Sequence, residues 1–265
     1  MKIALVQMPV SADKKENLSV AAEAVTASAG QGAELVLLPE MFCCPYDTAC
    51  FPVYGEPAGG PVWQALRRMA AENRVWLVGG SMPELEEGRV YNTSFVFSPA
   101  GEQVARHRKV HLFDIDVTGG QRFMESDTLS PGTGCTVFDT PFGRFGLCIC
   151  FDIRFPALAR EMTEAGARAV LVPAAFNMTT GPLHWELLLR ARAVDNQLFV
   201  AACAPARDTG AGYVSYGHSL VTDPWGKVLA DGGTEAGILA LELDFGEVSA
   251  ARRQIPVLPP RLREL

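Results

Sequence analysis

The stretch Glu34-Leu35-Val36-Leu37-Leu38-Pro39-Glu40 consists of four apolar residues and a proline between two glutamates. Its apolar residues are continuous and lack the alternation of a half-buried strand, so we expect a short β-strand covered on both faces. Such strands occur mainly in the parallel sheets of α/β proteins. The stretch therefore predicts an α/β fold and places Glu40 at the end of a strand.

The segments around this stretch alternate between strand and helix patterns. Residues 2–8 and 75–80 are further apolar runs of strand length. Apolar residues recur at helical spacing in residues 18–29 and 62–70. This alternation continues to residue 206, and strand-rich sequence with Gly and Pro turns follows it. The pattern predicts an α/β fold with a mixed sheet.

An internal similarity suggests how this fold is organised. The segment Gly166–Phe176 repeats the pattern of Gly32–Phe42, in which a helix end is followed by a buried strand and a proline. One interpretation is that two related halves form a sandwich of two sheets with helices outside. The alternative is that any two buried strands preceded by helices look alike. Under the first interpretation Ala174 replaces Glu40, so the fold itself does not need that carboxylate.

The chain of 265 residues fits one large α/β domain, and no low-complexity linker divides it. We therefore expect a single domain over residues 1–265. The tail of about residues 246–265 contains the proline-rich segment 255–260, which cannot be a regular helix. We expect this tail to cross a surface, which in an oligomer would be that of a partner subunit.

Charge and hydropathy exclude several classes of partner. The net charge is −7, from 23 basic and 30 acidic residues, and no basic run stands out, so no nucleic-acid partner is expected. No apolar run reaches the roughly 18 residues of a membrane span. Residues 2–8 read as a strand and not as a signal peptide, so the cytoplasm is the expected location.

The cysteines are odd in number and irregularly spaced, which argues against a disulfide framework. Several lie in apolar runs, where a cysteine behaves as a small buried apolar residue. They are Cys43, Cys44, Cys50, Cys135, Cys148, Cys150 and Cys203.

Three candidate reactive residues follow predicted strands: Glu40, Lys109 and Cys150. Strand ends are where parallel α/β sheets place reactive groups. Cys150 also precedes a helix start, whose N-terminus would favour the thiolate. Taken singly, each has an ordinary interpretation as a solvated glutamate, a surface lysine or a core cysteine. Cys148 lies on the same face of the strand as Cys150, so spacing alone does not separate them.

Other kinds of site are not favoured by the sequence. His107 and His111 are four residues apart but have no glutamate between them, and no cysteine pair has zinc-knuckle spacing. No Gly-x-Ser-x-Gly segment and no glycine-rich dinucleotide or phosphate loop occurs. We therefore expect neither a metal nor a cofactor.

Several windows, which together cover nearly the whole chain, resemble the nitrilase superfamily of carbon–nitrogen hydrolases. That superfamily uses glutamate, lysine and cysteine in this chain order. The windows are Leu38–Phe42, His107–Asp114, Gly146–Pro156 and Phe123–Gly132.

The resemblance assigns roles to particular residues. Glu40, Lys109 and Cys150 match the catalytic triad, at separations of 69 and 41 residues. It selects Cys150, and not Cys148, as the nucleophile, and it identifies Glu125 as the auxiliary glutamate. It also implies a four-layer α-β-β-α sandwich of the nitrilase type.

Within the superfamily, residues 113–116, 176–197 and 205–208 look most like omega-amidases. The resemblance implies hydrolysis of the terminal amide of 2-oxoglutaramate and 2-oxosuccinamate, with a small-molecule amide as the only ligand. Two alternatives in the same superfamily are a deaminated glutathione amidase and an N-carbamoyl amide hydrolase. A catalytically silent interaction domain is the non-enzyme alternative, which the presence of all three triad residues disfavours.

The triad chemistry requires shifted pKa values. The ordinary pKa values of a thiol and a carboxyl group differ by about 4, so proton transfer from Cys150 to Glu40 would cost about 5.7 kcal/mol. Burial of Glu40 and the charge of Lys109 would reduce this cost. Lys109 and the backbone N–H of Phe151 are expected to stabilise the oxyanion, by roughly 3 kcal/mol per donor. Glu125 is expected to orient Lys109.

The substrate carboxylate needs a cationic partner, and Arg154 is the candidate because a guanidinium binds a carboxylate through two hydrogen bonds. The alternative for Arg154 is an ion pair that stabilises its helix. Tyr46 and Thr179 are candidates for hydroxyl contacts. By resemblance, the helix around Trp185 and the helix after Phe155 form the face of a homodimer or higher homo-oligomer.

Overall fold

The computed structural model describes residues 1–263, without the side chains of Arg261 and Arg263. The strands are β1 (Lys2–Gln7), β2 (Leu35–Leu37), β3 (Trp76–Val78), β4 (Met82–Glu86), β5 (Arg89–Phe97), β6 (Gln103–Arg108), β7 (Asp114–Asp116), β8 (Arg122–Met124), β9 (Thr136–Thr140), β10 (Gly143–Leu147), β11 (Ala169–Pro173), β12 (Phe199–Cys203), β13 (Leu220–Thr222), β14 (Val228–Asp231) and β15 (Gly237–Glu242). The α-helices are α1 (Lys14–Gly30), α2 (Cys50–Tyr54), α3 (Pro61–Asn73), α4 (Pro156–Glu164), α5 (Gly181–Asn196), α6 (Gly246–Gln254) and α7 (Pro260–Arg263).

The strands form two large sheets and a small hairpin. The first sheet has the order β15-β1-β2-β3-β5-β4, with β6 paired to β5. The second has the order β14-β13-β12-β11-β10-β9, and β7 pairs only with β8. In the first sheet β1, β2 and β3 are parallel, and in the second β10, β11 and β12 are parallel. Strand β15 returns to pair antiparallel with β1, so the last strand of the chain joins the first.

The two sheets pack face to face and helices cover their outer faces. Leu35 and Leu37 of β2 lie in the core between the sheets, together with Leu171 of β11. Val36 of β2 points the other way, into the core under α1 and α3. On the far side, Val170 of β11 packs under α4 and α5. The predicted four-layer α-β-β-α sandwich is confirmed.

The internal similarity corresponds to equivalent positions in the two sheets. Each of β2 and β11 is the middle strand of three parallel strands. Ala174, which replaces Glu40 in the second segment, is buried in the apolar core beneath α4 and α5. The arrangement agrees with two related halves, of which only the first carries a carboxylate after its middle strand.

The helices begin where the sequence supplies suitable residues. Asp13 caps α1, accepting hydrogen bonds from the backbone N–H groups of Lys15 (2.8 Å) and Glu16 (3.2 Å). Helices α3 and α4 begin with Pro61 and Pro156, whose missing N–H would have no partner in a first turn.

The expected strand–helix alternation is wrong for residues 76–147, where the eight strands β3 to β10 follow one another with no α-helix between them. There β4, β5 and β6 form an antiparallel meander. Glu87 and Gly88 have φ values of 50° and 75°, which is the backbone of a tight hairpin between β4 and β5. Lys109 therefore follows an antiparallel strand, and its expected position after a parallel strand is also wrong.

The C-terminal tail packs on its own chain. Val248 and Arg252 of α6 are fully buried, and Arg252 donates hydrogen bonds to the carbonyl oxygens of Ala167 (2.9 Å) and Leu262 (3.1 Å). Residues 255–259 between α6 and α7 are irregular, as their prolines predict. Residues 264 and 265 of the predicted tail lie outside the described residues. No helix among residues 1–263 has both the length and the apolar character needed to cross a bilayer.

Candidate active site

Four predicted site residues meet in one buried cluster at the ends of strands from both sheets. Glu40 follows β2, Lys109 follows β6, Glu125 begins a short 3-10 helix after β8, and Cys150 follows β10. Their exposed fractions are 1%, 0%, 0% and 4%. Buried charges require partners, so the contacts among these side chains determine what the cluster can do.

Lys109 lies between the two carboxylates. Its Nζ is 2.8 Å from Oε1 of Glu40 and 3.0 Å from Oε1 of Glu125. Burial alone would lower the pKa of Lys109, but the charges of Glu125 and Glu40 outweigh burial and raise it. Lys109 is therefore a permanent ammonium ion that can stabilise negative charge beside Cys150.

Glu40 has one oxygen engaged and one free. Its Oε1 accepts hydrogen bonds from Lys109 and from Nδ2 of Asn92 (2.8 Å). Its Oε2 is buried and has no hydrogen-bond partner among residues 1–263. Burial raises the pKa of Glu40 against the opposing effect of Lys109, and Glu125 raises it further. Glu40 is thus a carboxylate with raised proton affinity and an available oxygen.

Cys150 occupies a strained turn. It begins a 3-10 helix, Cys150–Arg154, with a φ of 47°, a left-handed conformation that costs a non-glycine residue roughly 1–2 kcal/mol. Burial raises the pKa of the thiol well above its usual value, and the charge of Glu40 adds to this against the opposing effect of Lys109. This direction goes against the thiolate expected from the helix N-terminus, because burial outweighs any effect of the single short turn that follows. A thiol with a raised pKa needs a base before it can act as a nucleophile.

Tyr46 belongs to the same cluster. Its hydroxyl lies 2.7 Å from Oε1 of Glu125 and 3.3 Å from Oε1 of Glu40, so it donates to the nearer carboxylate. Its ring is tilted against the ring of Tyr213, with 4.5 Å between the ring centroids. Tyr46 therefore holds Glu125 in place and packs against Tyr213.

Asp152 organises the loops around the cluster, although its sequence position gave it no role. Its carboxylate lies 3.0 Å from Nε2 of His107 and 2.9 Å from Nδ1 of His111. It also accepts hydrogen bonds from the backbone N–H groups of His111 (2.9 Å) and Ile149 (3.0 Å). Burial would raise the pKa of Asp152, but the hydrogen bonds from the two histidines outweigh burial and lower it. A buried carboxylate thus joins the lysine segment to the cysteine turn.

The histidine pair could have pointed to Asp152. An ionised Asp152 accepts from both rings, so His107 carries its proton on Nε2 and His111 on Nδ1. They are four residues apart but do not lie on a helix and have no glutamate between them, and the acid two residues after Cys150 was the unused partner. Among residues 1–263, no three His, Cys, Asp or Glu side chains are placed to hold a metal ion.

Two cavities meet at the cluster. The larger has a volume of about 400 Å³ and is bordered by Glu40 and Tyr46. A narrow crevice of about 10 Å³ beside it, with room for about one water molecule, is bordered by Cys150 and Arg154. Tyr213 borders both, and its hydroxyl donates a 2.5 Å hydrogen bond to the carbonyl oxygen of Ala175. Glu40 and Cys150 therefore border adjoining spaces of one site.

Arg154 reaches the crevice without a carboxylate partner among residues 1–263. Its Nη1 lies 3.1 Å from Nδ1 of His184, and its guanidinium stacks 4.9 Å from the ring of Phe176. Its Nε is buried and has no partner in the described chain. The helix-stabilising ion pair is therefore not formed, and burial lowers the pKa of Arg154. A cation in this state is suited to bind an anion.

The remaining predicted contacts are placed as follows. The ring of Phe151 borders the crevice and packs 5.3 Å from the ring of Phe113. Thr179 borders neither cavity. The neighbouring Thr180 borders the crevice, and its Oγ1 donates to Oδ1 of Asn177 at 3.0 Å. The threonine that borders the crevice is thus Thr180, one residue from the predicted position, and a substrate contact from Thr179 stays a prediction.

Comparison with known proteins identifies the family of the chain. Residues 2–253 match the carbon-nitrogen hydrolase family. The chain is 49% identical to omega-amidase NIT2 of Mus musculus over 264 residues, covering 100% of this chain and 96% of that protein. The structure matches Nit3 of Saccharomyces cerevisiae, a member of branch 10 of the nitrilase superfamily, with a TM-score of 0.90 and 43% identity over 98% of this chain and 96% of that one.

A further solved structure bears on the cysteine. It is a glutamate-to-glutamine mutant of the amidase from Nesterenkonia sp. AN1, in which acrylamide has added to the active-site cysteine. It matches with a TM-score of 0.79 and 30% identity, covering 97% of this chain and 98% of that one. The predicted resemblance is confirmed by these matches. The chain belongs to the carbon-nitrogen hydrolase family and is an enzyme of that class.

Proposed function

We propose that the chain hydrolyses the terminal carboxamide of small dicarboxylate monoamides, such as 2-oxoglutaramate and 2-oxosuccinamate, through an acyl-thioester on Cys150. The observation that carries the proposal is that Cys150 and Arg154, which has no carboxylate partner among residues 1–263, border the same narrow crevice. A monoamide of this class has a carbonyl for the thiol and a carboxylate for the guanidinium. The omega-amidase name of the Mus musculus relative agrees with this substrate class.

The acylation half of the reaction uses the charge arrangement of the cluster. Glu40 takes the thiol proton of Cys150 on its free Oε2 as the sulfur bonds to the amide carbon. The carbonyl oxygen becomes an oxyanion, which Lys109 and the backbone N–H of Phe151 stabilise. Glu40 then gives its proton to the amide nitrogen, the C–N bond breaks and ammonia leaves.

In deacylation, water is the nucleophile and the sulfur of Cys150 is the leaving group. Water loses a proton to Glu40 and attacks the thioester carbon. The C–S bond then breaks, the carboxylic acid leaves and Cys150 regains its proton from Glu40. Because Lys109 is held by Glu40 and Glu125 in the resting site, it keeps its charge through both halves.

The test is ammonia release from 2-oxoglutaramate and 2-oxosuccinamate, with mass spectrometry of the quenched enzyme. We expect turnover of both amides and an acyl adduct on the tryptic peptide that contains Cys150. Deaminated glutathione and an N-carbamoyl amino acid serve as competing substrates. Faster hydrolysis of either competitor, or no ammonia from the two monoamides, would refute the substrate assignment.

We also propose a homodimer formed through α5. Leu183, Leu187 and Val194 are 72%, 65% and 48% exposed, and their spacing of four and seven residues places them on one face of that helix. Light scattering should give twice the monomer mass, and Leu187→Glu should reduce it to the monomer. A wild-type monomer at micromolar concentration would contradict the proposal.

A further inference from the structure

The crevice beside Cys150 is too small for the substrate that the proposed function requires. A monoamide that reacts at Cys150 and binds Arg154 through its carboxylate must extend between these two residues, which border the crevice. The crevice has a volume of about 10 Å³, which holds about one water molecule and not a carbon chain. A side chain must therefore move before this substrate can bind.

Two residues separate the crevice from the larger cavity. Ala175 and Tyr213 border both spaces, and no other residue of the described chain does. The larger cavity has a volume of about 400 Å³, so it has room to receive a displaced ring. Movement of either residue would join the two spaces, whereas movement of another ring would enlarge the crevice alone.

Ala175 is held in place by the second sheet. It follows β11, which is the middle strand of three parallel strands. The N–H of Ala174, the residue before it, donates a 2.8 Å hydrogen bond to the carbonyl oxygen of Cys203. The wall between the two spaces can therefore open only through Tyr213.

The chain before Tyr213 leaves its ring free to move. Residues 208–212 are mostly exposed and include two glycines. Among residues 1–263, the hydrogen bonds of this segment run within it, from the N–H groups of Gly210 (2.8 Å) and Ala211 (3.3 Å) to Asp208. A segment held only by its own contacts can change conformation without disturbing the sheets.

Three contacts hold the ring of Tyr213 in its resting position. Its hydroxyl donates a 2.5 Å hydrogen bond to the carbonyl oxygen of Ala175. Its ring centroid lies 4.5 Å from that of Tyr46 and 5.6 Å from that of Phe123. Loss of one ordinary hydrogen bond changes an equilibrium by about 2–10-fold, so the hydroxyl should have a measurable effect on the position of the ring.

We propose that Tyr213 determines the acyl specificity of the enzyme, because its ring must leave Ala175 before an acyl chain can extend from Cys150 to Arg154. The displaced ring stays beside the joined space, so short unbranched chains fit and longer ones meet the ring. The identity of the substrate rests on the proposed function, whereas the movement of Tyr213 rests on the two cavities.

The first test measures access to the thiol without a substrate. Iodoacetamide and iodoacetanilide share one reactive group, and the second carries an additional phenyl ring. Each forms an S–C bond with Cys150 and releases iodide, so the ratio of the two rates reports size and cancels the reactivity of the thiol. Mass spectrometry of the peptide that contains Cys150 measures both rates.

Two variants separate the ring from its hydroxyl. Tyr213→Ala removes the ring and should raise the rate ratio, anilide over amide, about tenfold. Tyr213→Phe keeps the ring but loses the hydrogen bond, so both rates should rise by about 2–10-fold. If Tyr213→Ala does not fold, Tyr213→Leu provides a smaller apolar side chain for the same measurement.

The second test uses 2-oxosuccinamate, 2-oxoglutaramate and 2-oxoadipamate, each longer than the last by one methylene group. In the wild type, kcat/KM should fall about tenfold or more from 2-oxoglutaramate to 2-oxoadipamate, the effect of one methylene group in a confined pocket. In Tyr213→Ala the two values should lie within about threefold of each other, because the limiting ring is gone.

Tyr54→Phe is the matched control. Tyr54 borders neither cavity, and its hydroxyl also donates to a carbonyl oxygen, that of Ala12, at 2.6 Å. This variant should leave the alkylation rates and the chain-length profile unchanged.

The outcomes for the proposed function and for the role of Tyr213 are distinguishable. A wild-type rate ratio in Tyr213→Ala, or slower alkylation by both reagents in Tyr213→Phe, would overturn the role of Tyr213 and leave the proposed function standing. If the wild type releases no ammonia from any of the three amides, the proposed function falls. The alkylation rates then decide by themselves whether Tyr213 controls access to Cys150.

Discussion

Replacement of Asp152 by asparagine should destabilise the fold more than any surface change in the chain. Asp152 is 1% exposed and accepts hydrogen bonds from two histidine rings and two backbone N–H groups. Asparagine has one acceptor oxygen and one NH₂ group, so the donors on one side lose their acceptor. Two lost bonds to a charged group, at about 1.5–3 kcal/mol each, correspond to about 3–6 kcal/mol. That is a large part of a typical stability of about 5–15 kcal/mol.

The same variant should change the acid sensitivity of the protein. The hydrogen bonds from His107 and His111 lower the folded-state pKa of Asp152 below its ordinary value of 3.8. A lowered pKa contributes stability that is fully present above the unfolded value and is lost as pH falls through the folded value. The wild type should therefore lose this stability below about pH 4, and Asp152→Asn should show a weaker dependence there.

Thermal unfolding followed by circular dichroism measures the effect. A domain of this size shifts by about 2–4 °C per kcal/mol, so Tm should fall by about 10 °C. Alkylation of Cys150 by iodoacetamide, at a temperature where both proteins are folded, should also slow, because the turn that positions the thiol loosens. The matched control is Asp139→Asn, an exposed acid paired with Arg144, which should leave Tm nearly unchanged. A shift below 2 °C for Asp152→Asn would refute the reasoning.

Three further predictions concern the reaction. Glu40→Gln removes the proton acceptor and should lower kcat by about 10²–10⁴, measured as ammonia release; a loss under fivefold would exclude Glu40 as the base. Arg154→Met should lower kcat/KM for 2-oxoglutaramate by roughly 10–150-fold, the equivalent of about 1.5–3 kcal/mol. Butyramide has no carboxylate, so its kcat/KM should not change. Equal losses for the two amides would contradict carboxylate binding by Arg154. Burial raises the pKa of Glu40, so the rise of kcat/KM with pH should have an apparent pKa above that of an ordinary carboxyl group. A profile that is already flat at pH 4.5 would show that the pKa of the base is not raised.

The central part of the fold was predictable because local sequence and tertiary burial agree there. Residues 35–38 are apolar on both faces and are buried on both faces. The meander of β4, β5 and β6 was not predictable in this way, since its hairpin depends on Glu87 and Gly88 in left-handed conformations. Helix α6 was missed because its buried residues include Arg252, a charge satisfied only by distant carbonyl oxygens.

Local sequence also predicts only part of the active site. Glu40, Lys109 and Cys150 could be predicted from motifs, and the structure brings them together, although their catalytic roles remain predictions. Asp152 had only the indirect signal of the histidine pair, and Asn92 had none, because each acts through a partner far away in the chain. Periodicity and local motifs do not encode which buried donor meets which buried acceptor. The lowered thiol pKa expected from the helix start failed for a related reason, since burial decides its sign.

The pairing of β1 with β15 has a consequence for how the chain is made. Lys2 pairs with Glu242, so the edge of β1 that pairs with β15 stays uncovered until residues 237–242 have been synthesised. At roughly 5–20 residues per second, the ribosome needs about 10–50 s to supply that partner. During this time β1 presents an apolar strand with an open edge, which is a template for pairing with other chains. Contacts of such long range also slow folding. Chaperone capacity during synthesis should therefore limit the yield of active enzyme more than the stability of the finished fold does.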